Sequence, residues 1–357
     1  MSTRATAYLV LENGEIFQGQ TLTESMNDTL GEVVFTTGMT GYLETLTDPS
    51  YYGQIIVQTF PLIGNYGVIQ SDFESIDIFP KAYIVNHLCL EPSNFRSDGD
   101  LGTFLLAKNI PMLFGIDTRK LTRLIRNHGA LNGIITTKKP DEINIDEIKK
   151  YTITNAVQSV SRTDVKVEGN GKYTVALIDY GSKKGIIQNL IQRDCTVHIF
   201  PQSASADDIL AINPDGIMLT NGPGDPSAPE NDQIINTLKT LKQAKLPIFG
   251  ICLGHQLLAL ASGYETQKLK FGHRGTNQPV KDTKTGVVYI TSQNHGYAVV
   301  AKDEESSFVS VNDNTCEGIE YSDANAFSVQ FHPEANSGPK DTTFLFDKFV
   351  ERMKLNN

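Results

Sequence analysis

The sequence predicts an α/β protein in two parts. One is a C-terminal doubly wound, largely parallel sheet; the other is a separate N-terminal α+β domain. Three observations predict this. From residue 173 onward short apolar strands alternate with amphipathic helical segments, the order that a parallel sheet with helical crossovers needs. Before residue 160 the alternation is absent, and a hairpin signal and β-rich runs take its place. Between them, residues 161–172 are polar, hold two glycines and lack any apolar period, which reads as a linker. The predicted division is therefore 1–160, a linker at 161–172, and 173–357.

In the first part, residues 6–12 and 15–19 flank Asn13-Gly14, a dipeptide that fits tight hairpin turns. Runs at 32–37, 54–60 and 82–89 are β-rich. Residues 100–108 read as a helix. Asp117 is placed to cap another over 118–128, which Gly129 ends. A third helix is predicted at 141–151, with acids early and lysines late, as the helix dipole favours. Two loops, 36–53 and 60–67, contain more Gly, Thr and Tyr than a plain connector requires.

In the second part, strands are predicted over 173–179, 195–200, 216–220 and 246–251. Helices are predicted over 182–193, 206–212, 231–242 and 255–262. Short strands follow at 287–291, 308–312, 318–321 and 326–331, and a helix over 342–355 closes the chain. Ligands of doubly wound sheets bind beyond the carboxyl ends of the strands. Two rich loops fall there: Asn221-Gly-Pro-Gly224 and the turn at Cys252.

Composition narrows the function. The chain of 357 residues is 39% hydrophobic and 20% charged, which suits folded domains. A net charge of -10 argues against nucleic acid as the partner. Cysteines at 89, 195, 252 and 316 show no C-x-x-C spacing, so no metal site and no disulfide framework is predicted. No run approaches the ~20 apolar residues of a membrane span, so no membrane partner is expected. Residues 1–8 lack the apolar core of a signal peptide. The expected location is cytoplasmic, where thiols stay reduced.

The chemistry centres on residues 246–263. An apolar strand meets Gly250-Ile-Cys252-Leu-Gly254, then a Leu- and Ala-rich helix ending at Gly263. This is the nucleophile-elbow pattern with Cys in place of Ser. A free thiol is only slightly ionised at neutral pH, so a nucleophilic cysteine wants an imidazole base. His332 is the best candidate: it ends a β-rich run, and Glu334 at i+2 of an extended segment would face the same side and orient the ring. His255 falls inside the helix start and is expected to be structural, while His295 lies in a turn-like stretch that could line a pocket. His87, His128, His198 and His273 have no catalytic context. The Leu253 N–H and the Gly222 loop are placed to hold an oxyanion, where one donor is typically worth ~3 to 4 kcal/mol. Neither a P-loop nor a strand-linked G-x-G-x-x-G occurs, so no nucleotide is expected on this chain.

Gly250-Ile-Cys252-Leu-Gly-His-Gln256, with His332-Pro-Glu334 some eighty residues later, resembles class I (triad) glutamine amidotransferases. Four further stretches are similar to the small-subunit family of glutamine-dependent carbamoyl phosphate synthetases. They are Leu219-Thr-Asn221-Gly-Pro-Gly224-Asp-Pro, Phe271-Gly-His-Arg-Gly275, Gln293-Asn294-His-Gly296-Tyr297 and the loop from Met39 through Thr47-Asp-Pro-Ser50. The similarity covers essentially the whole chain. It implies that Cys252 forms a γ-glutamyl thioester, that His332 moves the protons and that Glu334 orients it. Ser50, Gly222, Gly224, Leu253, Gln256, Asn294, Gly296 and Tyr297 match the glutamine-binding positions, with Ser50 coming from the other domain. Lys183 matches a lysine close to the site. Tyr297 stands where relatives often carry Phe, a mild departure.

The resemblance also implies a partner. Ammonia would pass to a large synthetase subunit, which uses bicarbonate, two ATP and magnesium to make carbamoyl phosphate for arginine and pyrimidine synthesis; this chain itself would hold no cofactor. Two rival readings remain at this point. One is another Cys-His-Glu hydrolase of the same fold, a γ-glutamyl hydrolase or the glutaminase of a different synthetase, which would lack the Ser50 loop domain. The other is a non-catalytic regulatory subunit, against which the intact Cys252, His332 and Glu334 speak.

Overall fold

The apolar runs of the chain fold into two units, Met1–Thr154 and Asn155–Asn357. The computed structural model describes residues 4–24 and 26–356. The reading of residues 1–8 thus falls partly, at 1–3, outside the described residues.

The first unit holds β1 (Ala5–Leu11), β2 (Ile16–Thr21), β3 (Thr29–Thr36), α1 (Tyr42–Leu46), β4 (Gln54–Gln58), β5 (Leu62–Ile63), β6 (Ala82–Ile84), β7 (His87–Leu88), α2 (Leu101–Ala107), β8 (Met112–Leu113), α3 (Thr118–His128), β9 (Leu131–Thr136) and α4 (Ile145–Lys149). Seven of these strands form a mixed sheet in the order β2-β1-β9-β3-β4-β6-β8. The hairpin forms where expected, but Leu11 N–H donates to Glu15 O and Gly14 takes φ 85. It is therefore a three-residue loop with a left-handed glycine, not a two-residue turn. Asp100 and Asp117 cap α2 and α3, each accepting an N–H at 2.8 Å. The helix predicted over 141–151 shrinks to the five residues of α4, which Asn144 caps. Central strand β9 has no predicted counterpart, because Asn132-Gly133 interrupts its apolar run. A Cβ on Gly133 would lie 2.8 Å from Val33 Cγ2, so close sheet packing demands the glycine.

The second unit holds α5 (Ala156–Val160), β10 (Lys166–Glu168), β11 (Tyr173–Asp179), α6 (Lys184–Ile191), β12 (Cys195–Pro201), α7 (Ala206–Leu210), β13 (Gly216–Leu219), α8 (Asp232–Gln243), β14 (Ile248–Ile251), α9 (Leu253–Ala261), β15 (Glu265–Asp282), β16 (Val288–Val300), β17 (Ser306–Ser310), β18 (Cys316–Tyr321), β19 (Ala326–Val329) and α10 (Phe344–Asn356). Its ten-stranded sheet runs β10-β12-β11-β13-β14-β19-β18-β16-β15-β17. Strands β12, β11, β13, β14 and β19 are parallel neighbours. Strand alternation sorts their side chains. Ala176, Ile178, Ile217 and Leu219 pack with α7, α8 and α9, while Val175, Leu177, Met218 and Phe249 pack with α6 and α10. Helices therefore cover both faces, as the doubly wound prediction requires.

Two readings need correction. The stretch 161–172 is not a free linker: it contains β10, which pairs antiparallel with β12, and the unit boundary lies earlier, at Thr154/Asn155. A three-residue edge strand is too short to leave an apolar period. After α9 the short strands predicted near 308–312, 318–321 and 326–331 form as β17, β18 and β19, but the one predicted at 287–291 belongs to a long ribbon. β15 and β16 are 18 and 13 residues long, and the turn-like 293–297 lies inside β16. Their buried residues are largely polar, so the alternation that marks strands is missing. No described helix is long and apolar enough to cross a membrane.

Candidate active site

β14 lies between β13 and β19, and α9 begins at Leu253, so Cys252 alone joins strand to helix. It sits at φ 53, ψ -104, a conformation that non-glycine residues rarely adopt. Neighbouring strands hold it there. Cys252 N–H donates to Val329 O at 2.9 Å, and Gly254 N–H to Thr220 O at 3.0 Å. The flanking glycines have a steric cause. A Cβ on Gly254 would stand 2.5 Å from Leu219 O, and one on Gly250 2.8 Å from Gly254 O.

Leu253 N–H, at the first helical position, has no acceptor within its own helix. Gly222 packs beside it: a Cβ there would meet Leu253 Cδ2 at 2.7 Å and Tyr180 O at 2.3 Å. Gly224 takes φ 93 in the same loop. Gly222 and Leu253, the residues predicted to supply oxyanion donors, are thus neighbours.

After β19, Phe331 enters the apolar core, flanked by the buried polar side chains of Gln330 and His332. Cys252, His332 and Glu334 are all buried. His332 Nδ1 lies 2.6 Å from Glu334 Oε1. The predicted pairing forms by a different route, because Pro333 and Glu334 make a turn that folds the carboxylate back. Lys183 joins them, its Nζ 3.3 Å from His332 Nδ1 and 3.6 Å from Glu334 Oε1. Burial and the Lys183 ammonium both oppose a charge on His332. The Glu334 carboxylate and Cys252 outweigh them and push its pKa up to about 10. Glu334, although buried, is held below the ordinary carboxylate range by His332 and Lys183. His332 Nε2 is buried and makes no hydrogen bond of ordinary geometry, which leaves it for proton exchange.

His255 is buried with Nδ1 2.7 Å from Ser328 Oγ, and burial drives its pKa down to about 3, a structural neutral imidazole. Gln256, one turn past Cys252, donates from Nε2 to Tyr297 O at 2.8 Å and to Gln330 Oε1 at 2.9 Å. Cys252 Sγ lies 3.7 Å from Asn294 O. Residues 294–297 of β16 are thereby drawn to the start of α9. Ser50 belongs to the first unit, on the short turn Pro49–Tyr51, where its N–H donates to Asp48 Oδ1. Among the described residues, His273, His295 and Glu317 bring potential metal-donor atoms within 4.8 Å of one another; His273 Nδ1 faces Glu317 Oε1 at 3.3 Å, Gln293 Nε2 donates to Glu317 Oε2, and His295 Nδ1 lies 2.8 Å from Tyr297 O.

A family model described as glutamine amidotransferase class-I matches residues 176–352, and one described as carbamoyl-phosphate synthase small chain, CPSase domain, matches residues 9–135. The chain is 49% identical to the carbamoyl phosphate synthase pyrimidine-specific small chain of Bacillus subtilis (strain 168), over 97% of this chain and 95% of that one. The chain belongs to the carbamoyl-phosphate synthase small-chain family. It is similarly close to the small chains of Listeria innocua (47% identical, 97% and 96% covered) and Clostridium perfringens (48%, 97% and 99%).

Three residues around this family site have roles that the sequence reading does not assign, Asn221 being quoted there only as part of a loop. Gln330 holds Gln256, and strict strand alternation from Ser328 to His332 would have pointed to it. Gly185 in α6 lets the His332 turn approach, since a Cβ there would lie 2.9 Å from Glu334 O. Asn221 Oδ1 accepts the Lys183 N–H at 3.1 Å, and no local signal announces that pairing.

Proposed function

We propose that this chain is the glutamine-hydrolysing subunit of a carbamoyl phosphate synthetase. The observation that carries the reading is the strained Cys252 elbow beside a buried His332–Glu334 pair. Cys252 gives its proton to His332 Nε2, and the sulfur attacks the side-chain carbonyl carbon of glutamine. The resulting oxyanion accepts the N–H groups of Leu253 and Gly222. The intermediate collapses with cleavage of the C–N bond, and His332 protonates the departing ammonia. The γ-glutamyl thioester is then attacked by water, which loses its proton to His332, and glutamate leaves. Glu334 keeps the ring oriented through Nδ1–H throughout.

Gln256, Asn294, Gly296, Tyr297 and Gly224 bind glutamine. Ammonia passes to a large synthetase subunit, where bicarbonate, ATP and magnesium are used; free in water it would be protonated and lose its nucleophilicity. The product serves arginine and pyrimidine synthesis in the cytoplasm. The test is an acid-quenched reaction with glutamine, followed by mass analysis of the peptide carrying Cys252, and ammonia release with and without a co-purified large subunit. A glutamyl adduct and released ammonia are expected. Neither appearing under either condition would end the reading.

A further inference from the structure

The antiparallel end of the second unit buries a carboxylate that takes no part in the chemistry above. Glu317 of β18 is fully buried. A buried charge of this kind is costly unless it is paired and hydrogen-bonded. One oxygen, Oε2, accepts from Gln293 Nε2 at 2.9 Å. The other, Oε1, lies 3.3 Å from His273 Nδ1. The opposite nitrogen of that ring, Nε2, lies 2.7 Å from Asp313 Oδ2, in the turn between β17 and β18. Both ring nitrogens face carboxylate oxygens, Nε2 in a hydrogen bond to Asp313 and Nδ1 in an ion-pair contact with Glu317 without ordinary hydrogen-bond geometry; burial raises the Glu317 carboxyl while the His273 ring pulls it back, so a charged ring suits both carboxylates.

The groups around the His273 ring divide by sign. Asp313 and Glu317 favour its charge. Burial opposes it; His295, whose ring meets it edge-on at 4.9 Å, is itself kept neutral by burial, with His273 and Arg274 adding to that. Against burial the two carboxylates win, and His273 is pushed up to about 9.

The backbone gives this charge a task. His273 is the register partner of His295, and Arg274 of Asn294. On both sides the β15–β16 ladder breaks, between Lys268 and His273 and again between Gly275 and Gln278. Residues 293–295 are thus paired through a short island, not a long continuous ladder. Side chains continue the link: Gln293 Oε1 lies 3.2 Å from His295 Nε2, and His295 Nδ1 lies 2.8 Å from Tyr297 O, the oxygen that also accepts from Gln256.

We propose that His273 is a positioning residue for substrate. Clamped as an imidazolium between Asp313 and Glu317, it fixes residues 293–297 so that Asn294, Gly296 and Tyr297 meet glutamine. This inference rests on the glutaminase reading for its substrate and on the β15–β16 geometry for its mechanism.

The experiment compares wild type, His273→Gln and the milder Asp313→Asn, which alters the more exposed end of the clamp. It reads KM and kcat for glutamine from about pH 6.5 to 9.5, and hydrogen exchange of residues 293–297. His273→Gln raises KM roughly tenfold, as losing a charge-assisted hydrogen bond would, with kcat within about twofold. Asp313→Asn moves KM the same way by less, and the alkaline rise in KM begins at lower pH than in wild type. Exchange at 293–297 quickens in both variants. Unchanged KM and exchange in both variants would overturn the proposal, as would a fall in kcat alone or a stoichiometric divalent ion bound by His273 and Glu317. A wild-type chain that releases no ammonia would remove the glutaminase reading, while faster exchange in the variants would still support the clamp.

Discussion

The two halves of the ten-stranded sheet are held together by different interactions. In the parallel half, apolar side chains interlock on both faces; Phe249 stacks on Phe327 at 4.4 Å and meets Phe346 edge-on at 5.6 Å. In the antiparallel half, five consecutive residues from Thr291 to His295 are buried and polar. Apolar burial is non-directional and gives a rigid seat, while hydrogen bonds specify orientation at the cost of needing every partner. Cys252 and His332, the proposed nucleophile and base, stand on the first kind of support. Asn294, Gly296 and Tyr297, proposed to bind glutamine, stand on the second. Damage to the parallel half should therefore appear in kcat, and damage to the antiparallel half in KM.

The largest expected effect tests that division at its root. Cys252→Ala should abolish glutamine hydrolysis by roughly 10⁴-fold or more, while the assembled complex still makes carbamoyl phosphate from ammonia. Loss of both activities in parallel assays would break the comparison. His332→Asn should lower kcat by ~10²-fold or more with little change in KM, as for a missing general base. An unaltered hydrolysis rate would pass the role to another histidine. Gln256→Ala, which cuts the link from α9 to Tyr297, should raise KM roughly tenfold and spare kcat; steady-state kinetics showing the reverse would blur the two halves.

The smallest effect sharpens the antiparallel half alone. His273 has a folded pKa of about 9, above its unfolded value of 6.5. Its stabilising contribution is therefore fully present below about pH 6.5 and is lost as pH rises through about 9. Denaturant midpoints should fall over that window in wild type and fall less in Asp313→Asn. His332 is also raised, but Asp313→Asn leaves its partners in place, so the difference between the two curves isolates His273. Parallel curves would count against the clamp.

The parallel half was legible because each of its strands is a short apolar run bounded by turn residues, and because Gly250 and Gly254 mark a turn that tolerates no side chain. The antiparallel half was not. Its buried residues satisfy one another through hydrogen bonds, so Gln293 to Tyr297 look like a turn in one dimension and are a strand in three. The meeting of Cys252 and His332 is legible as two motifs but not as a topology: it depends on β19 returning beside β14 after the whole excursion of β15 to β18. Glu334 was found as the partner of His332 by spacing, yet the turn at Pro333 makes the contact, not an extended backbone. Lys183 shows the limit most clearly, since nothing near it in sequence places its ammonium beside His332.

The pairing of β17 with both β15 and β18 has a consequence for colloidal behaviour. Over Val280–Asp282 the far edge of β15 is taken by β17, which pairs in turn with β18, so at that corner the sheet turns back on itself and offers no open row of backbone donors and acceptors. The other end is β10, three residues long and carrying Lys166 and Glu168. A sheet this wide would otherwise be a template for runaway strand addition; here one border is folded back at its corner and the other is short and charged, which works against seeding.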